Sequence, residues 1–333
     1  MSRKLLSYTA LGLILGNAAI ADVPKVAVDI APVHSLVSRV MEGVGSPKLI
    51  IPAGASPHEY SLRPSEAKSL QDADMVIWMG EDLAPWMENS IEKLAKNAEV
   101  ITLLEASETK LLDFREGALF EEHDHGDHDD HDDHDDHDDH DHDKDHDDHD
   151  DHDDHDDHAG HDHGEHDPHA WLSIENAQTW LNLVAGKLSA ADPENAGVYF
   201  GNAAAARSEI EELSKEVNSI LDPVRGRSFV VFHDAYQYFE TSFDFPASGA
   251  ISLGDATDPS ASRIAEIQGR VREEGINCVL SEPQYNPNLV ETVLEGTDAK
   301  TGVIDPLGVN LEPGPKLYGD LIRNMAKSLA GCL

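Results

Sequence analysis

The sequence predicts an α/β protein of two lobes, each with a mainly parallel sheet, joined by a long rigid spine helix. Three observations lead there. Short apolar runs alternate with helical patterns from Lys25 to Leu103, and the alternation resumes from Ser228 to Ile304. Between the two series, Pro193 to Leu221 keeps one helical pattern of roughly 28 residues, about 42 Å of helix. That is long enough to bridge two cores.

In chain order, Lys25 to Ile30 reads as a strand that ends at Ala31-Pro32-Val33-His34, and a helix carries Ser35 to Met41. Lys48 to Ile51 is a second strand, and Pro52 to Pro57 is a Pro/Gly loop leading into His58-Glu59-Tyr60. Pro64 to Leu70 fits a helix with proline in its first turn. Asp74 to Met79 is a strand, Ala84 to Lys96 a helix and Glu99 to Leu103 a strand. Ser173 to Ala190 is helical, with Leu181, Val184 and Leu188 on one face, and the spine helix follows. The second series has strands at Ser228 to Phe232, Asn277 to Leu280 and Lys300 to Ile304. Its helices are Ser260 to Glu273, Asn288 to Leu294 and Leu317 to Ala330.

The N-terminus has a positive start (Ser2-Arg3-Lys4), an apolar stretch from Leu5 to Ile20 and a small-x-small site at Ala19-Ile20-Ala21. Residues 1–21 therefore read as a secretory signal peptide, which places the mature chain in a bacterial periplasm. The expected layout is an N-terminal lobe over residues 22–172, a helix over 173–192 leading to the linker, the spine over 193–222 and a C-terminal lobe over 223–333. In an oxidising compartment Cys278 and Cys332 would form a disulfide tethering the last helix to the second lobe; two separate buried thiols are the alternative.

Residues 121–167 interrupt the first lobe with an acidic, histidine-rich run. It holds 23 Asp, 3 Glu, 16 His and one Lys, and carries −25 of the chain's formal charge of −41. Like charges and the lack of apolar residues predict a disordered insert. Its imidazoles are His123, His125, His128, His131, His134, His137, His140, His142, His146, His149, His152, His155, His158, His161, His163 and His166. Imidazoles recurring among carboxylates suit a divalent ion such as zinc, whereas a plain acidic spacer needs no histidine. The overall charge argues against a nucleic-acid partner.

Four histidines lie elsewhere: His34, His58, His169 and His233. His58 follows the Pro/Gly loop, His169 follows the insert, and His233 follows the strand Phe229-Val230-Val231-Phe232. Asp305 stands at the end of the strand Thr301-Gly302-Val303-Ile304. Ligands of open α/β sheets gather at the carboxyl ends of strands, and three imidazoles with a carboxylate fill a tetrahedral zinc shell. A metal site in the interlobe cleft is one reading of this pattern; the other is that each histidine is a structural hydrogen-bonder, the commoner role of a lone histidine after a strand. His34, Glu59 and Glu282 are further candidates, as alternative ligands or as groups that orient the ligands, and Asp234 and Tyr236 are also cleft candidates.

At these residues the chain resembles the periplasmic solute-binding proteins of zinc and manganese ABC importers, most closely the high-affinity zinc-uptake component. The resemblance rests on Gly54-Ala55-Ser56-Pro57-His58-Glu59-Tyr60-Ser61-Leu62-Arg63-Pro64-Ser65 and on Asp167-Pro168-His169-Ala170-Trp171-Leu172-Ser173. It continues through Val231-Phe232-His233-Asp234-Ala235-Tyr236-Gln237-Tyr238-Phe239, Ser281-Glu282-Pro283-Gln284-Tyr285 and Ile304-Asp305-Pro306-Leu307-Gly308. It implies His58, His169, His233 and Asp305 as the metal ligands, Zn2+ as the transported ion and the histidine-rich loop as accessory capture or buffering. Manganese-binding members usually carry Glu at the third histidine, so His233 points to zinc. Some zinc members place an acidic residue before the first ligand, where this chain has Pro57, and in some the fourth position is water.

The implied partners are an ABC permease in the inner membrane and periplasmic zinc chaperones, with the carrier itself a monomer. Rival readings are manganese or iron delivery, a zinc buffer that meets no transporter, and a zinc hydrolase. The last lacks a His-Glu-x-x-His helix and a serine nucleophile elbow.

Overall fold

The computed structural model describes residues 23–115, 120, 166–252, 259–285 and 287–333. The expected signal peptide and residues 121–165 of the insert lie outside the described residues.

The first lobe runs β1 (Val26–Val28), α1 (Ala31–Val40), β2 (Lys48–Leu49), α2 (Pro64–Gln71), β3 (Met75–Trp78), α3 (Pro85–Leu94) and β4 (Glu99–Thr102). Its sheet has the order β2-β1-β3-β4, and every pair is parallel. Proline stands in the first turn of each of the three helices, where its missing N–H has no partner to lose. Because α1 already begins at Ala31, His34 sits inside it rather than at a strand end.

A 3-10 turn (Ala170–Leu172) leads into α4 (Ile174–Ala191), whose first turn is capped by Ser173 accepting from the Asn176 N–H. The spine is α5 (Ala196–Leu221), 26 residues long. Its buried positions Tyr199, Ala203, Ala206, Ile210, Leu213, Val217 and Leu221 recur at helical spacing and form one stripe.

The second lobe comprises β5 (Phe229–His233), α6 (Gln237–Phe243), β6 (Ala250–Ser252), α7 (Ala261–Glu273), β7 (Cys278–Ser281), α8 (Pro287–Leu294), β8 (Lys300–Val303) and α9 (Leu317–Cys332). Its sheet order is β6-β5-β7-β8, again parallel throughout. The α6 and β6 elements had no sequence prediction; at seven and three residues they are too short to establish a period and are set by packing.

Side chains alternate across each sheet. Val26, Val28, Met75 and Ile77 face inward, as do Phe229, Val231, Cys278 and Leu280 from the other lobe, and all belong to one continuous core shared with α4, α5 and α9. The opposite faces form two separate clusters, around Val76 and Trp78 and around Val230 and Phe232. The spine packs against α4 and α1 of the first lobe and α9 of the second. With a shared core behind it, the cleft has a stiff back, because close-packed interiors resist gradual deformation.

Cys278 in β7 and Cys332 in α9 are bonded, with Cα atoms 5.8 Å apart, so the expected disulfide is present. Gly302 in β8 makes room for it: a Cβ there would stand 3.2 Å from the Cβ of Cys332 and 3.0 Å from a Leu280 methyl.

Candidate metal centre

The cleft residues arrive from separate elements. His58 sits on the loop between β2 and α2, held where the Trp86 indole donates to the Pro57 carbonyl at 2.8 Å. His169 follows the root of the insert, where Asp113 and His166 form an isolated antiparallel bridge. His233 is the last residue of β5, at the carboxyl end of the parallel sheet.

The structure brings the three imidazoles into a row. Ring centroids lie 5.7 Å apart for His58 and His169 and 5.3 Å apart for His169 and His233. Two carboxylates set the orientation of the buried pair. Asp167 Oδ1 accepts from Nδ1 of His169 at 2.7 Å and also from its backbone N–H at 2.9 Å. Glu282 Oε1 accepts from Nδ1 of His233 at 2.5 Å, and its other oxygen accepts from the Gln284 amide at 2.8 Å. With a proton on each Nδ1, each Nε2 carries a lone pair. Those two Nε2 atoms lie 3.4 Å apart. Two nitrogens bound to one tetrahedral zinc at about 2.05 Å stand about 3.3–3.4 Å apart. Facing lone pairs repel each other, and a cation placed between them turns that repulsion into two bonds.

Asp305 lies on the loop after β8. Its Oδ1 accepts from the Leu307 and Gly308 N–H groups at 3.1 and 2.8 Å, and its Oδ2 accepts from Val309 at 2.7 Å. Gly308 permits the tight turn with φ +73°. This loop is tied to the His169 segment by the Trp171 indole, which donates to the Pro306 carbonyl at 2.8 Å. The Tyr236 hydroxyl is fully buried, and burial first, then the nearby Glu282, Tyr285 and Asp305, raises its pKa well above the ordinary range. Among the described residues no group of three or more His, Cys, Asp or Glu is already disposed as a finished metal shell. The pair from His169 and His233 is formed and His58 adjoins His169, while Asp305 stays on the loop that Trp171 ties to the His169 segment.

The other sequence candidates fall differently. His34 is buried in α1, its Nε2 3.3 Å from the Pro47 carbonyl and its Nδ1 3.4 Å from the Ser38 hydroxyl, and burial lowers its pKa. Glu59 is exposed. Glu282 touches His233 and serves as its orienting partner. Of the histidines in the insert, only His166 is described, with Nδ1 2.9 Å from Asp113. The others lie outside the described residues.

Sequence reasoning missed Asp167, which it counted as the last residue of the insert. The structure corrects this: Asp167 is 1% exposed and belongs to the cleft. Its signal was the Asp-Pro-His spacing, since a carboxylate two residues ahead reaches back to the following backbone and ring. Arg115, bonded to Asp234 and Glu240, was missed as well.

The sequence model of the zinc-uptake complex component A periplasmic family (ZnuA) matches residues 26–332. The chain belongs to this family. The family is a periplasmic component of an uptake complex, which accords with a carrier rather than an enzyme. Among curated relatives, the high-affinity zinc uptake system protein ZnuA of Paracoccus denitrificans (strain Pd 1222) is 47% identical over 331 residues, 98% of each chain. That of Brucella abortus (strain 2308) is 47% identical over 318 residues, 96% of this chain and 94% of its own. In Haemophilus influenzae (strain ATCC 51907 / DSM 11121 / KW20 / Rd) the identity is 34% over 340 residues, covering 99% of each.

Two solved structures bear on the fold. A zinc-bound ZnuA deletion mutant aligns with TM-score 0.69 at 19% identity, covering 93% of this chain and 98% of that one. The manganese-bound FpvC from Pseudomonas aeruginosa aligns with TM-score 0.69 at 18% identity, covering 93% and 97%. Both likenesses show the fold of this chain.

Proposed function

We propose that the protein captures Zn2+ in the periplasm between its two lobes and delivers it to an ABC permease, with the insert as an accessory collector or buffer. The observation that carries this reading is the 3.4 Å separation of the His169 and His233 Nε2 atoms, one from each side of the cleft. His58 and Asp305 complete the proposed shell once the ion is in place, with Asp305 or a water as the fourth ligand. Three imidazoles and one carboxylate suit borderline zinc, whereas manganese favours oxygen donors. Delivery of manganese or iron by the same fold is the second reading.

The shared core and the spine limit closure to a small tilt and local movement of the loops that bear His58 and Asp305. The handover to a permease is supported by the family and by its zinc-uptake relatives. The test counts ions in metal-buffered titrations of the mature chain and of His58→Ala, His169→Ala and His233→Ala. One tight zinc that each substitution weakens and that manganese does not displace supports the reading. Retention of tight zinc by His169→Ala would remove its basis.

A further inference from the structure

The root of the insert crosses from the first lobe onto α6 of the second. The Leu112 N–H donates to the Tyr238 hydroxyl at 2.9 Å, and that hydroxyl donates to the Asp167 carbonyl at 3.0 Å. Asp167 returns a backbone bond to Leu112 at 2.8 Å. Beside this patch, the Arg115 guanidinium spans two carboxylates of the second lobe. Its Nε donates to Asp234 Oδ2 at 3.0 Å and Nη2 to Asp234 Oδ1, while Nη1 and Nη2 donate to Glu240 at 2.7 and 3.1 Å. The side chains of Asp234 and Glu240 are 8% and 6% exposed, and that of Arg115 is 16% exposed. Arg115 also lies 3.5 Å from the centre of the Phe120 ring.

The two ends of this arrangement are the two sides of the cleft. Asp234 directly follows His233, and Asp167, tied to Leu112, orients His169. We propose that Arg115 is a positioning residue for the cleft, clamping the strap that carries Asp167 to the turn that carries His233. The two imidazoles are thereby held at ligand spacing before the ion arrives. This rests on the reading of His169 and His233 as ligands.

The chemistry favours arginine for the task. A planar fork meets two carboxylates at once, which a lysine ammonium cannot do with the same geometry. Burial raises the Asp234 and Glu240 carboxyls while Arg115 pulls both down, and the nearby Asp167 pushes Asp234 up further. Without the guanidinium, two buried carboxylates face each other uncompensated and the turn after β5 is driven off the strap. Organising the site during folding reduces what must be ordered on binding, so the clamp acts mainly on the rate of release.

The test measures zinc release from the full chain by stopped-flow chelator capture, after equilibration in a metal buffer that leaves only the tight ion bound. It is paired with the visible spectrum of the Co2+-loaded protein. Arg115→Lys, with its charge retained, is expected to release zinc about tenfold faster and to alter the cobalt band, and Arg115→Gln to do more. If Arg115→Gln does not fold, Asp234→Asn keeps the Arg115–Glu240 pair and carries the same expectation. Wild-type release rate and cobalt band in folded variants, even with a lowered Tm, overturn the clamp. A wild-type chain that holds no tight zinc overturns the reading of the ligands instead.

Discussion

Nε2 of His169 and Nε2 of His233 face each other at 3.4 Å across the cleft, each ring fixed from behind by a carboxylate on its Nδ1. The spacing matches two corners of a tetrahedral zinc shell, and the backing carboxylates fix which nitrogen of each ring is turned toward the other.

The carboxylates Asp167 and Glu282 should therefore matter to affinity although neither is proposed to touch the ion. Asp167→Asn and Glu282→Gln are expected to weaken zinc binding about 10–100-fold with the fold retained. Competition with a chelator of known affinity, alongside circular dichroism, measures both. Unchanged affinity in both variants would show that the rings need no such support.

The alternation of strands and helices, the spine and the carboxyl-end position of His233 were legible in the sequence because periodicity and turn chemistry are local. The role of Asp167 was obscured by the 22 other aspartates of the insert, although its place before Pro168-His169 was visible. Arg115 could not be placed, since its partners stand 119 and 125 residues away and nothing near it in the chain distinguishes it. His34 was misplaced because Ala31-Pro32 read as the end of a strand when it is the first turn of α1.

The disulfide closes a separation of 54 residues. Chain entropy alone then gives about 4 kcal/mol of stabilisation. Cys278→Ser/Cys332→Ser is expected to unfold at lower temperature and lower denaturant while still binding one tight zinc, since the bond lies at β7 and α9 behind the cleft. Calorimetry with and without zinc checks this; loss of the tight ion in the folded variant would contradict it.

His34 predicts a pH dependence with a definite sign. Burial lowers its folded pKa from 6.5, so the unfolded chain takes up this proton first as pH falls. The stabilisation is present above the unfolded pKa and is lost as pH drops through the window between that value and the lowered folded one. In zinc-free protein, urea unfolding across that range should show a steeper loss for wild type than for His34→Gln. Parallel curves would contradict the assignment.

In the proposed function, selectivity resides in the ordered cleft and the histidine-rich insert is accessory. The most direct measurement is the number and affinity of zinc ions bound by the mature chain, by a chain lacking residues 121–165, and by one lacking 121–167. The first deletion is expected to lower the total count but to keep one tight zinc, preferred over manganese. The second, which also removes the carboxylate of Asp167, should weaken that ion. Loss of the tight zinc on deleting 121–165 alone would place the selective site in the insert and contradict the account.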